Sequence, residues 1–275
     1  MIHLFPKLKN RMLLMSACCI ALAGVYVASG GMNKVIPVLI VVVGVASVVI
    51  FQLLTSFNMH SQLISRLYNQ LNVEGFLRDY EPLAQMKLKN PNLHLMVRLH
   101  LSNAYCAQGR FDKAESLLNA IPVAKGKKPE DELLSRFAIM SNLCYFAQQQ
   151  DDIPKAQKCL NELLALKKQL ESLQAAKPEK KRMIFNTELN EQVMTFLTTG
   201  KADIEALRKL IQNNPQQLHR ITISLWLARA YLAENNRREA EALLGKIVKL
   251  APELYPGKVA ASILSGLPGN SAENV

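Results

Sequence analysis

Two long stretches at the start of the chain are apolar around their whole circumference. Met12 to Gly30 reads MLLMSACCIALAGVYVASG and Ile36 to Leu54 reads IPVLIVVVGVASVVIFQLL, each 19 residues without a charged side chain. As a helix, either stretch covers about 28 Å, close to the roughly 30 Å hydrocarbon thickness of a bilayer. The intervening Gly31 to Lys34 leaves room only for a tight turn, so the pattern predicts a transmembrane hairpin over residues 1–56, with spans at about 12–30 and 36–54. Beyond it the period changes. Leu63, Leu67, Leu71 and Val73 recur on one helical face, so an amphipathic segment is predicted to continue or closely follow the second span. Gly75 then reads as a break, Pro82 as the first turn of a new helix and KNPN at Lys89 to Asn92 as a loop. The pattern predicts an all-α chain with a helical domain over 57–268. The tail at 269–275 has too little apolar content to fold.

The first span also fits a signal peptide, with a basic start and small residues at Val27 and Ser29. Its long apolar run and the immediate second span favour an uncleaved helix. In both cases the basic N-terminus and the helical domain are expected on the cytoplasmic side of a cell membrane. Arg66, Arg78, Lys87 and Lys89 agree with that orientation. Gly24 with Ala28, and Gly44 with Ala46, offer smooth surfaces expected to pack within the hairpin. No Asp, Glu, Lys or Arg interrupts either run, which argues against an ion path or proton relay.

The clearest signal in the helical domain is LSNAYCAQGRFDKAESLLNAI, from Leu101 to Ile121. Leu101, Ser102 and Tyr105 supply large, small and aromatic positions, Gly109 a turn, and Phe111, Ala114 and Leu118 a second apolar face. This segment resembles the tetratricopeptide repeat, a 34-residue pair of antiparallel helices. The physics suits the residue types: Ser102 and Ala114 are small enough for two helices to cross closely, while Tyr105, Phe111 and Leu118 fill the wedge between them. The spacing recurs with Leu143, Cys144, Asp151, Ile153, Ala156 and Leu160. It recurs again with Leu227, Ala228, Tyr231, Asn235, Ala240, Leu244 and the repeat-ending Pro252, where Trp226 adds an apolar anchor. A fainter copy has Ala206 and Leu210 34 positions before Ala240 and Leu244, Gly200 near its turn, and Met194 in the small position. Ala114 to Ala156 spans 42 positions and Ala156 to Ala206 spans 50, so connections have been inserted. KGKKPEDE from Lys125 and KPEKKR from Lys177 read as those connecting loops, and PGKVAASILSGL from Pro256 as a final capping helix.

Composition narrows the chemistry. The chain has 275 residues, 12 Gly, 12 Pro and only 6% aromatic content, which suits helices. Its formal charge is +11, but Lys7, Lys9, Arg11 and Lys34 stand among residues 1–60 with no acid. The remainder has 29 basic against 22 acidic residues, without the basic-aromatic interleaving of a nucleic-acid surface. Cys18, Cys19, Cys106, Cys144 and Cys159 make no CxxC pair, so neither a zinc site nor a disulfide framework is suggested. The five histidines are scattered: His94 and His100 do not share a helical face, and His60 and His219 are expected beside polar turns. No Gly-rich phosphate loop, HExxH or GxSxG occurs, so no catalytic, cofactor-binding or metal-binding residue is expected, nor a small-molecule substrate.

The resemblance implies a curved solenoid whose first helices line a concave groove for a protein or peptide partner. Asn103, Tyr145, Gln148, Gln149 and Arg229 would face that groove. The function implied is a membrane-tethered scaffold or adaptor. The alternative is an accessory subunit whose hairpin makes the main contacts in a membrane complex.

Overall fold

The computed structural model of the protein describes residues 5–30, 35–86, 90–121, 129–172 and 177–267, and every regular element among them is an α-helix. The predicted turn at 31–34 and the tail at 269–275 lie outside the described residues, as do Lys125 to Lys128, Lys87 and Lys89.

α1 (Pro6–Ala28) and α2 (Val35–Tyr68) run antiparallel. Cys19 packs where Gly44 has no side chain: a Cβ there would stand 2.9 Å from Cys19 Sγ. Both helices are long and apolar enough to cross a membrane, and they leave large apolar groups uncovered, such as Leu22 at 62% and Val25 at 66% exposure. α2 is one unbroken helix of 34 residues, about 51 Å long, some 20 Å more than a bilayer core requires. The second apolar run and the amphipathic segment after it are therefore a single rod. Its last turns bury Leu67 (0% exposed) and Tyr68 (3%) in the core of the array, and Phe5 at the start of α1 packs against the same core.

From there the chain forms helix pairs. The end of α2 pairs with α3 (Val73–Ala84), α4 (Pro91–Ala107) with α5 (Phe111–Asn119), and α6 (Pro129–Gln149) with α7 (Ile153–Ser172). α8 (Lys177–Thr199) pairs with α9 (Ile204–Asn213) and α10 (Gln217–Ala233) with α11 (Arg237–Leu250), and α12 (Tyr255–Gly266) covers the last pair. One residue in each intra-pair turn adopts the left-handed conformation: Leu71 (φ 58°), Gly109 (78°), Asp151 (53°), Gly200 (69°) and Asn235 (58°). At three of them the backbone closes identically. The N–H of Arg110, Asp152 and Asn236 donates to the carbonyl five residues back, and that of Gly109, Asp151 and Asn235 to the carbonyl three back. That is the Schellman closure, for which Gly, Asn and Asp are the residues that tolerate positive φ.

The packing explains the repeat signature. Ser102, Cys144 and Ala228 on the first helices, and Ala114, Ala156 and Ala240 on the second, are all 0% exposed. They sit where the helix axes approach most closely, and a larger side chain would push the pair apart.

Four expectations are corrected. α3 begins at Val73 because the Asn72 side chain accepts the N–H of Gly75 at 2.8 Å; Pro82 lies in its last turn, not its first, where losing one hydrogen bond ends the helix soon afterwards. KPEKKR opens α8 and PEDE opens α6: straight-chain Lys and Glu favour helix, and a Pro is tolerated in a first turn. In the faint repeat the crossing residue is Leu207 (2% exposed), not the neighbouring Ala206. Asp203 caps α9 one position later than a strict 34-residue step implies, placing Leu207 four residues beyond the cap, as Ala114 is beyond Arg110. His60 lies within α2 rather than beside a turn.

Candidate functional site

Curvature brings the first helices together until the concave side is nearly closed. α10, buried on almost every face, packs against α2, α9, α11 and α12, while α4 contacts α6 and α12. Tyr255 on α12 acts as the clasp. Its ring presses on the Gly109 turn and meets Phe111 edge to face at 4.9 Å, and its hydroxyl donates to the Gln149 carbonyl at 2.8 Å. On the other side, Arg229 of α10 donates to Asp151 Oδ1 at 3.0 Å while its guanidinium lies 4.4 Å from the centre of the Trp226 ring. The Asp151 turn is thus held from both α10 and, one residue earlier in sequence than Gln150, from α12.

Between α4, α6, α10 and α12 lies a cavity of about 20 Å³. That is room for about one water molecule. Three of the five predicted groove residues meet there. Asn103 lines it while donating to the Tyr68 hydroxyl at 2.9 Å, Tyr145 lines it from α6, and Gln149 beside it has a buried Nε2 with no acceptor. The other two are elsewhere. Gln148 is 0% exposed in the seam between α6 and α8, donating to the Asn190 carbonyl at 2.8 Å, and Arg229 makes the bridge to Asp151.

Next to this cavity lies a cluster that the sequence pattern does not reveal. His60 meets the Tyr80 hydroxyl at 3.1 Å, His100 Nδ1 meets the Tyr68 hydroxyl at 3.0 Å, and the His219 ring stands edge-on to Tyr68 at 5.2 Å. The three histidines come from α2, α4 and α10, too far apart in sequence for any spacing rule to join them. Loss of solvent lowers the pKa of His100 to about 3, helped by the neighbouring His60 and His219, and lowers that of His219 to about 4. Both are therefore neutral at physiological pH, serving as hydrogen-bonding and packing groups. Burial also raises the Cys106 thiol well above its ordinary range, which keeps it protonated and unreactive. Among the described residues, no set of three His, Cys, Asp or Glu side chains is arranged to hold a metal ion.

Comparison with known proteins bears on one part of this architecture. Residues 224–253 match the family model for the tetratricopeptide repeat, and they cover most of α10, all of α11 and the turn that Asn235 closes. The chain therefore carries a tetratricopeptide repeat at the α10/α11 pair. Repeats of this family are protein-binding scaffolds in general, and nothing in the arrangement shows catalysis. Neither the curated proteins nor the solved structures provide a match to the chain.

Proposed function

Starting from a tetratricopeptide repeat set in an all-helical array behind two apolar helices, we propose that the chain is a membrane-tethered scaffold that holds a protein partner near the bilayer. The observation that carries this reading is the unbroken α2, whose first half exposes apolar side chains and whose last turns are buried in the array. Lipid is the solvent in which such an exposed surface is stable. The proposed orientation places the N-terminus and the array in the cytoplasm, following the excess of basic residues around the spans. Asn103, Tyr145 and Gln149 belong to the proposed partner side, yet a cavity of about 20 Å³ admits no peptide backbone. A partner would meet these residues at the rim of the closed concave side, and its main contacts would fall on the outer faces of the array.

The second reading, an accessory subunit, draws on the hairpin. Gly44 is covered by Cys19, but a Cβ on Gly24 would meet nothing within 4 Å, and Ala28 one turn later is exposed as well. This small-residue step is open to another membrane helix instead of packing within the hairpin as expected.

Two measurements test the proposal. With a cysteine at exposed Lys201 in sealed membrane vesicles, an impermeant maleimide is expected to label from the cytoplasmic side; protection there would overturn the orientation. Photo-crosslinkers on the array of the full chain should capture a partner and keep capturing it when the hairpin is replaced by an unrelated one. Loss of capture on replacement would establish the accessory-subunit reading instead.

A further inference from the structure

A groove enclosing about 450 Å³ opens between α9 and α11 with α10 as its floor. Its floor is apolar: Ile221, Leu227 and Ile247 are buried there. Leu250 at its end is 43% exposed, whereas most exposed large apolar side chains among the described residues belong to α1 and α2. Its rim is basic. Arg208, Arg220 and Lys246 line it, with no carboxylate among the lining residues. Arg208 is partly neutralised by Glu205 at 2.7 Å, but among the described residues Arg220 hydrogen-bonds the neutral Gln217 side chain and no ion pair engages Lys246.

We infer that this groove docks an acidic amphipathic helix of a protein partner, laying its apolar stripe on the accessible Ile211, Leu243 and Leu250 and its carboxylates against Arg220 and Lys246. The inference rests on the scaffold reading above and names where and by what chemistry the partner is held. The geometry suits a helix. α9 has 10 residues, so the groove wall is about 15 Å long, the length of nearly three helical turns, and side chains at i, i+3 or i+4 and i+7 would reach the floor. An extended peptide adding to a sheet edge has no strand to join among the described residues, and a nucleic acid would find no aromatic side chain in the lining to stack on.

The test uses the full chain in phosphatidylcholine nanodiscs and fluorescent 14-residue synthetic helices with leucines at i, i+3, i+4 and i+7. One version is flanked by glutamates and the other by lysines, and binding is read by anisotropy. The acidic helix should bind at least tenfold more tightly than the basic one. The double charge reversal R220E/K246E, both at the surface, should remove at least tenfold of that affinity, and L250D should weaken it severalfold. Q157A, on the exposed face of α7 and outside the groove, should leave it unchanged. Equal binding of the two helices, or indifference to the double reversal, would overturn the inference. So would binding of anionic phosphatidylserine vesicles that is lost on the same reversal while neither helix binds, since the groove would then read lipid. Crosslinking on membranes reports whether the array meets a protein at all, whereas anisotropy reports this groove, so the two proposals can fail separately.

Discussion

The pair α10/α11 and the pair α8/α9 occupy neighbouring places in one array, yet they are built differently. In the first, Ala228 and Ala240 let two helices cross at close range, Asn235 closes the turn, and the small-residue pattern is regular enough to match a family model. In the second, Val193, seven residues before Gly200 as Ala228 is before Asn235, stands at the crossing instead of the expected Met194, opposite Leu207; the connection at Gly200 is longer, and α8 and α9 pack least closely of all the pairs. The fold tolerates both. What differs is the size of the side chains buried between the two helices.

Truncation separates the two most strongly. Leu244→Ala, at 0% exposure in the tight pair, should cost near 5 kcal/mol, while Leu207→Ala should cost nearer 2, because a loosely packed pair can settle into the space. Denaturant unfolding of the full chain in nanodiscs measures both, and equal costs would mean that the two pairs are packed alike. The turns give the next contrast. Gly109→Ala forces a Cβ to within 2.8 Å of the Tyr255 ring at positive φ, whereas Gly200→Ala meets nothing within 4 Å, so about 3 kcal/mol is expected for the former and about 1 for the latter. Thermal unfolding of the two variants reads the difference directly. Overpacking tests the register. Ala240→Met should destabilise by about 1 to 3 kcal/mol, while Ala206→Met should stay within about 0.5, as befits a residue beside the crossing and not in it.

Acid should distinguish the pairs as well. In the unfolded chain His100 and His219 take up protons near 6.5; in the folded chain they do so only at about 3 and about 4. Between those values the unfolded state holds more protons. Stability is therefore complete only well above pH 6.5 and falls as the pH drops toward 4, by about 3 kcal/mol at pH 5.5 for the two histidines together. Hydrogen exchange should show the loss first in α4 and α10, where the two histidines sit, and later in α8 and α9, which contain none. Loss in the reverse order would break the assignment.

Much of this was legible in the sequence wherever one residue's own conformation or size set the structure. Gly109, Asp151 and Asn235 mark turns because few residues accept positive φ, and Ser102, Ala114 and Ala240 mark crossings because only small side chains fit them. The apolar runs stood out for the same local reason. What could not be read depends on sums. A one-residue shift of a cap moved the crossing from Ala206 to Leu207. Small rotations from pair to pair accumulated until Tyr255 reached Gln149, closing a groove expected to be open. The histidine cluster required three helices to converge, and the only local sign of the clasp was an aromatic residue three positions after Pro252.

The absence of any break in α2 between its exposed apolar half and its buried last turns makes the array a lever with no hinge. A helix longer than its membrane is thick leans over, and transmembrane helices lean by about 20° on average. In the proposed tethered arrangement, whatever angle α2 takes in the bilayer the array must take too, carrying the basic groove toward the headgroups or away from them. Bilayer thickness, a property of the lipid, would thereby set which way the docking face points.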